Sequence, residues 1–163
     1  DENHIIGVGQ ATDDTEGRVT FSGVKISLFD VSDVSNPIEM SKYEIGDRGT
    51  YSEALYDHHA FLFSKEKNLI VLPVIVYEKT KPDQFYGEPV FQGAYVFGLT
   101  LDSGFDYRGR ITHADAAAQK EYYYYYGPYS ITRSLYMDDT LYTISSGMIK
   151  ANSLEDLDVI SKV

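Results

Sequence analysis

The chain has 163 residues, 43% of them hydrophobic and 24% charged, which suffices for one compact domain with a buried core. Its 14 Lys and Arg stand against 25 Asp and Glu, so the net charge is −11. That balance argues against nucleic acid and anionic membranes, because both need clustered cations. The absence of cysteine excludes disulfides and thiolate sites, and no apolar run approaches the ~20 residues that cross a bilayer.

Strand signals dominate the first half of the chain. Short apolar or alternating runs bounded by polar turns predict strands at residues 4–9, 24–32 and 38–46, with a turn at Asn36 and Pro37. The runs HHAFLF (58–63) and LIVLPVIVY (69–77) flank the charged stretch SKEKN. They predict a hairpin, and its second strand is the longest apolar run in the chain.

The second half continues in the same way. A strand is predicted at residues 90–101, where Gly93 and Gly98 indicate bulges or close approaches of another chain segment. A turn at Ser103 and Gly104 leads to a strand at residues 105–113, and a later hairpin turns at Asp138 and Asp139. Helix signals are weak. Residues 113–122 predict one short helix or a turn, and residues 153–157 predict a turn.

About eleven short strands at this spacing predict an all-β fold, and a weak repeat groups them into units of three, four and four strands. Repeated four-stranded antiparallel sheets are typical of propeller blades. We therefore predict a single domain over residues 1–163 that forms a partial β-propeller of about three blades. Their approximate bounds are residues 1–49, 50–115 and 128–163.

The motifs ISLFDVSDVSNP, DHHAFLF, LIVLPV and RSLYMDDTLYTIS resemble the secreted β-propeller domain family of archaea and bacteria, which is distantly similar to WD-type repeats. The resemblance covers nearly the whole chain and matches the C-terminal part of that domain. It implies propeller architecture and an extracytoplasmic address, secreted or at the cell surface. It carries no established catalytic residues to transfer.

Closed propellers have about 4–8 blades, more than this chain supplies. We expect either a piece of a larger propeller, which the lack of a starting Met also suggests, or a chain that associates with copies of itself. Both interpretations predict that residues near Asp1 and Val163 pair with another chain or lie at exposed sheet edges.

Asp57, His58 and His59 form the strongest cluster of potential metal ligands, since His and Asp bind Zn²⁺, Cu²⁺ and Mn²⁺. If the strand begins at these residues, the two histidines point to opposite faces and cannot easily share an ion. His4 and His113 have no spacing that recommends them as further ligands. We therefore expect a scaffold role, in which one histidine is hydrogen-bonded to Asp57 or to the backbone, as in WD-like propellers.

Three other polar or aromatic segments have residues of the types found in binding sites or turns. Asp13, Asp14 and Glu16 suit either a Ca²⁺ loop or, as we expect, a solvated acidic hairpin. Asp30 and Asp33 suit turn chemistry. The tyrosine run suits either a half-buried strand or loop, which we expect, or a surface for a partner; its members are Tyr122, Tyr123, Tyr124, Tyr125, Tyr126 and, after a gap, Tyr129.

No nucleophile, zinc-protease or P-loop motif is present, so we assign no catalytic, cofactor or metal residues. We expect a non-enzymatic extracytoplasmic propeller module with a protein or carbohydrate partner. Remaining propeller blades or further copies of the chain are expected as additional partners, and nucleic acid, membrane insertion and cofactors are not. The alternatives are a propeller enzyme or metal-binding domain with a central-channel site, and a structural component of the cell envelope.

Overall fold

The computed structural model describes residues 1–15, 17–115 and 127–163, in which eleven strands form three antiparallel sheets. The first sheet has the order β1-β2-β3, the middle sheet β4-β5-β6-β7, and the third sheet β11-β10-β9-β8. The strands are His4–Thr15 (β1), Arg18–Asp30 (β2), Ile38–Ile45 (β3), Leu62–Ser64 (β4), Leu69–Glu78 (β5), Glu88–Thr100 (β6), Gly104–Ile111 (β7), Arg133–Met137 (β8), Thr140–Ile144 (β9), Ile149–Ser153 (β10) and Val159–Lys162 (β11).

The middle sheet is buried on both faces, and the side-chain alternation of β5 shows how. Ile70 and Leu72 pack with the first sheet, in a cluster that includes Ile26 of β2. Leu69 and Val71 point the other way and pack with Leu141 of the third sheet. Because neighbouring side chains of a strand face opposite sides, one continuous apolar strand supplies two cores.

The linker between the first and middle sheets is held along β5. Strand β4 pairs with β5 only as far as Val71, and Pro73 follows beyond the end of that pairing. There the linker takes the place of β4, since Tyr51 and Ile75 exchange both backbone hydrogen bonds, at 3.0 and 2.8 Å. Ser52 Oγ donates to the Pro73 carbonyl at 2.6 Å. The linker therefore enters the next segment, residues 53–61, from a fixed position.

These sheets confirm the all-β, partial-propeller fold. The predicted hairpins β4–β5 and β8–β9 are present, and residues 153–157 form a turn as expected. The acidic segment is the tip of a longer hairpin than the sequence indicated, because β1 and β2 pair out to Thr15 and Arg18. Of residues 113–122, only 113–115 are described, and they adopt no regular structure, so the question of a short helix lies outside the described residues.

The prediction that a strand begins at His58 is wrong. Residues His58–Ala60 form a 3₁₀ turn, and the strand begins only at Leu62. Asp57 is the physical reason, because its side chain accepts a hydrogen bond from the His59 backbone N–H at 2.9 Å. Such hydrogen bonds between a side chain and the nearby backbone compete with strand pairing at the start of a strand.

Both ends of the chain lie at open sheet edges, as predicted. Among the described residues, strand β1 pairs only with β2, and β11 pairs only with β10, where Val163 continues the pairing to Ile149 and is 93% exposed. The third sheet also turns an apolar face away from the middle sheet. Its register places Leu135, Met137 and Ile149 on that face, each more than 40% exposed.

The two glycines of β6 provide a matched test of packing. A Cβ at Gly93 would lie 2.1 Å from the Ile111 carbonyl oxygen, whereas at Gly98 it would meet only the Arg108 side chain, at 3.0 Å. We expect Gly93→Ala to lower the free energy of unfolding by about 1–3 kcal/mol, because backbone must move. Gly98→Ala is expected to cost less, since a flexible side chain can shift. Urea unfolding of both variants measures this, and equal costs would contradict it.

Candidate functional site

Several polar side chains gather at one end of the sheets, here called the upper rim: the end at which β4 and β8 begin and β5, β7 and β9 finish. The antiparallel order brings the linker before β4 and the segment after β7 to this end. Contacts across sheets confirm that the ends coincide, because the linker reaches β8 and the segment after β7 reaches β9. The upper rim therefore holds three of the four histidines, His58, His59 and His113.

The Asp57 turn is the centre of the upper rim. Asp57 Oδ1 accepts a hydrogen bond from the His59 backbone N–H at 2.9 Å and lies 3.0 Å from Nδ1 of the His59 ring. Arg133, the first residue of β8, forms an ion pair with Asp57 Oδ2. The His59 hydrogen bonds lower the pKa of Asp57, and the Arg133 charge acts in the same direction. One ionised carboxylate thus shapes the turn and ties the middle sheet to the third.

This arrangement agrees with the expected scaffold role in one respect, since His59 is the histidine bonded to Asp57. It differs in another. The turn brings the rings of His58 and His59 together, with their centroids 3.9 Å apart and their planes tilted by 36°. Asp57, His58 and His59 each offer one ligand atom, and these atoms lie within 4.8 Å of one another. The strand argument that separated the two histidines is therefore wrong.

His113 forms a second tie between the same two sheets. Its side chain is buried, and its ring nitrogens lie 2.9 Å from Ser145 Oγ and 2.9 Å from Thr143 Oγ1. Burial, together with the smaller effect of the Lys150 charge, lowers the pKa of His113 to about 4. Lys150 itself donates to the Thr112 carbonyl. The sequence around His113 does not predict this role, because its hydrogen-bond partners are some thirty residues away along the chain.

Sequence reasoning missed an aromatic surface on the upper rim, formed by Arg48, Phe85 and Tyr86. The Arg48 guanidinium lies 3.8 Å from the centre of the Phe85 ring and 5.3 Å from that of Tyr86. Both rings are more than half exposed. Two adjacent aromatics inside the polar β5–β6 turn were the available signal.

A cleft of about 320 Å³ opens at the opposite end, the lower rim, between the first and middle sheets. Its walls are mainly apolar, and its ionisable groups are Asp1, His4 and Lys65. Asp1 contacts both of the others, through His4 Nδ1 at 2.8 Å and Lys65 Nζ at 3.1 Å. His4 therefore pairs with Asp1 and belongs to none of the metal-ligand clusters among the described residues.

The remaining predicted candidates fall into two groups. Asp30 and Asp33 fix their turn as expected, accepting from the backbone N–H groups of Ser32 and Ser35 at 2.8 and 3.0 Å. Asp13 and Asp14 are exposed on the β1–β2 hairpin, and Tyr129 is half-buried. The other members of those two segments lie outside the described residues: Glu16 and Tyr122–Tyr126.

His113 predicts a pH dependence of stability. The unfolded chain takes up a proton near pH 6.5, whereas the folded chain does so only near pH 4. The unfolded state therefore binds more protons in that window, and stability falls as the pH is lowered through it, by up to about 3 kcal/mol. Urea unfolding from pH 7 to pH 4 measures the slope.

His113→Gln should remove the part of the pH dependence that His113 causes. The part caused by Asp and Glu side chains should remain, because the variant and the wild type share those residues. His4→Gln, which alters the histidine at the lower rim, is the control and should retain the wild-type slope. An unchanged slope in His113→Gln would show that the buried imidazole does not control acid stability.

Comparison with known proteins places this geometry in a family. A family model described as "Beta propeller domain" matches residues 1–157. The chain is 40% identical over 73 residues to an uncharacterised protein of Archaeoglobus fulgidus, and the match covers 45% of this chain and 10% of that protein. A second uncharacterised protein, from Methanocaldococcus jannaschii, is 38% identical over 71 residues, covering 44% of this chain and 10% of its own length.

No solved structure matches the chain. The matched region spans about a tenth of the length of these archaeal relatives. Within the described part of the chain, no helix is long and apolar enough to cross a membrane. Because the family model covers nearly the whole sequence and the sheets are antiparallel and repeated, the chain belongs to the β-propeller domain family.

Proposed function

We propose that this chain is part of a non-enzymatic, extracytoplasmic β-propeller module that binds a protein or carbohydrate partner through its upper rim. The observation that carries the proposal is the aromatic surface of Arg48, Phe85 and Tyr86. Phe85 is 63% exposed and Tyr86 is 60% exposed. Exposed aromatic rings are costly in water, so a rigid group of them indicates a binding surface.

The loop that presents this surface is held in place by hydrogen bonds on both sides. Lys79 N donates to Asp47 Oδ2 at 2.7 Å, and Gly87 N donates to the Arg48 carbonyl at 2.8 Å. Within the loop, Gln84 Oε1 accepts from the Thr80 backbone N–H at 2.7 Å. A partner would therefore meet rings that are already ordered, which reduces the entropy lost on binding.

The chemistry of the surface suits two kinds of partner. Aromatic faces stack on the apolar faces of sugar rings and pack against protein side chains, and tyrosine adds a hydroxyl for hydrogen bonding. Arginine and aromatic residues are also the types that most often dominate binding energy at protein interfaces. Arg48 is cationic within a chain of net charge −11, which favours a partner with a carboxylate or other acceptor nearby.

The double variant Phe85→Ala/Tyr86→Ala is expected to weaken binding at least tenfold, because it removes both ring faces. A glycan array tests the carbohydrate arm, and a library of displayed peptides tests the protein arm. Phe63→Ala is the control, since Phe63 is an exposed aromatic at the lower rim. Selected ligands that bind the double variant as well as wild type would contradict the proposal.

We also propose that another four-stranded sheet covers the exposed face of Leu135, Met137 and Ile149. The apolar character of that face and the much greater length of the archaeal relatives support this. The first sheet offers a contrast, because Lys25 and Glu39 form an ion pair at 2.6 Å across its strands.

Without such a cover, the chain alone is expected to self-associate through this face as its concentration rises. Light scattering after gel filtration should show a mass increase that Leu135→Lys/Ile149→Lys abolishes, because charge on the face opposes association. Val34→Lys is the control, since Val34 is exposed in the β2–β3 turn. A chain that stays monomeric at high concentration would speak against an interface on this face.

The extracytoplasmic address and the WD-like relationship rest on the resemblance of the motifs LFDVSDVSNP and DHHAFLF to the secreted propeller family. Protease treatment of intact cells of the source organism tests the address. A protein digested only after lysis would be intracellular.

A further inference from the structure

The Asp57 turn carries chemistry that a scaffold role does not use. Its two histidine rings are exposed, and the ligand atoms of Asp57, His58 and His59 lie within 4.8 Å of one another. The 3₁₀ geometry of His58–Ala60 creates this proximity, since a strand would have turned the rings to opposite faces. Two adjacent imidazoles open to solvent have room for an ion to enter.

Asp57 divides the roles within the cluster. Its Oδ1 lies 3.0 Å from His59 Nδ1, so the ring can donate its Nδ1 proton to the carboxylate and leave the Nε2 lone pair free. Metal-binding histidines commonly have such a carboxylate partner, which fixes the ring and raises its basicity. Asp57 Oδ2 is already paired with Arg133. The carboxylate therefore orients a ligand and is not itself the best ligand.

The local charge balance also suits a cation. The negative charge of Asp57 offsets the positive charge of Arg133, so the ion pair repels a cation bound at the two rings only weakly. The chain as a whole carries a net charge of −11. Imidazole nitrogen selects borderline ions such as Zn²⁺, Ni²⁺ and Cu²⁺ over Mg²⁺ or Ca²⁺, which prefer oxygen.

We propose that His58 and His59 together bind one Zn²⁺, Ni²⁺ or Cu²⁺ ion at the upper rim, with His59 coordinating through Nε2 and Asp57 acting as a positioning residue. Two protein ligands leave other coordination positions open to water or to a donor group of a bound molecule. The proposal uses residues separate from Arg48, Phe85 and Tyr86, and so does not rest on the proposed interaction surface.

Calorimetric titration of the whole chain with Ni²⁺ and with Zn²⁺ tests the proposal. Wild type should bind one ion per chain, and His58→Ala and His59→Ala should each weaken binding at least tenfold by removing half of the ligands. Asp57→Asn should weaken it about tenfold, because the His59 ring loses its orienting charge. Cu²⁺ electron paramagnetic resonance should show coupling to two imidazole nitrogens in wild type and to one in either histidine variant.

His4→Ala is the matched control. His4 also has a carboxylate partner, Asp1 Oδ1 at 2.8 Å, but no second imidazole beside it, so affinity should change less than twofold. Arg133→Gln should leave binding intact, because it removes the ion pair between sheets and keeps the Asp57–His59 bond. Thermal unfolding of each variant without metal separates loss of ligands from loss of the fold.

Three results would overturn the site. They are binding weaker than about 1 mM in wild type, equal loss in His4→Ala, and wild-type affinity in a folded His58→Ala protein. The variant Phe85→Ala/Tyr86→Ala should bind the ion normally, so failure of the metal site and failure of the interaction surface are distinguishable.

Discussion

The two-sided burial of β5 is the constraint on which the rest of this structure depends. Its residues alternate between two cores, with Ile70 and Leu72 facing the first sheet and Leu69 and Val71 facing the third. At about 25 cal/mol per Å² of apolar surface, such burial far outweighs any single rim contact. Because β5 lies between two sheets, the strand edges and linkers on either side of it are fixed as well, and the rims inherit their geometry.

Polar ties add specificity at the upper rim. The Asp57–Arg133 ion pair and the bonds of His113 to Thr143 and Ser145 both join the middle sheet to the third. The first tie is partly exposed and adds little stability, whereas the second is buried, and an unpaired imidazole there would be costly. The same Asp57 carboxylate also sets the turn that brings His58 and His59 together. A structural contact thus creates the arrangement from which we infer a metal site.

Much of the fold was predictable, because alternating apolar and polar residues indicate strands and residues such as Asn36, Pro37 and Asp138 indicate the turns between them. Gly93 was also recognised as a close approach. The 3₁₀ turn at His58–Ala60 was not predictable, because the side chain of Asp57 caps it and the apolar pattern that follows does not reveal this competition with strand pairing. The contacts at the upper rim were harder to predict from the sequence. Arg48 lies in the linker after β3 and contacts Phe85 in the turn between β5 and β6, and Arg133 contacts Asp57, which is 76 residues away in the sequence.

The sequence by itself determined the all-β class, the grouping of strands into sheets and the open sheet edges at both ends of the chain, because these follow from local periodicity and from the number of strands available. Only the tertiary structure decided which histidine pairs with Asp57, that the two rings share one side, and that His113 is buried between sheets. The histidine arrangement depends on a local competition between the Asp57 side-chain hydrogen bond and strand pairing, and the burial of His113 depends on how two sheets meet at their ends. Neither kind of contact leaves a periodic trace in a single chain.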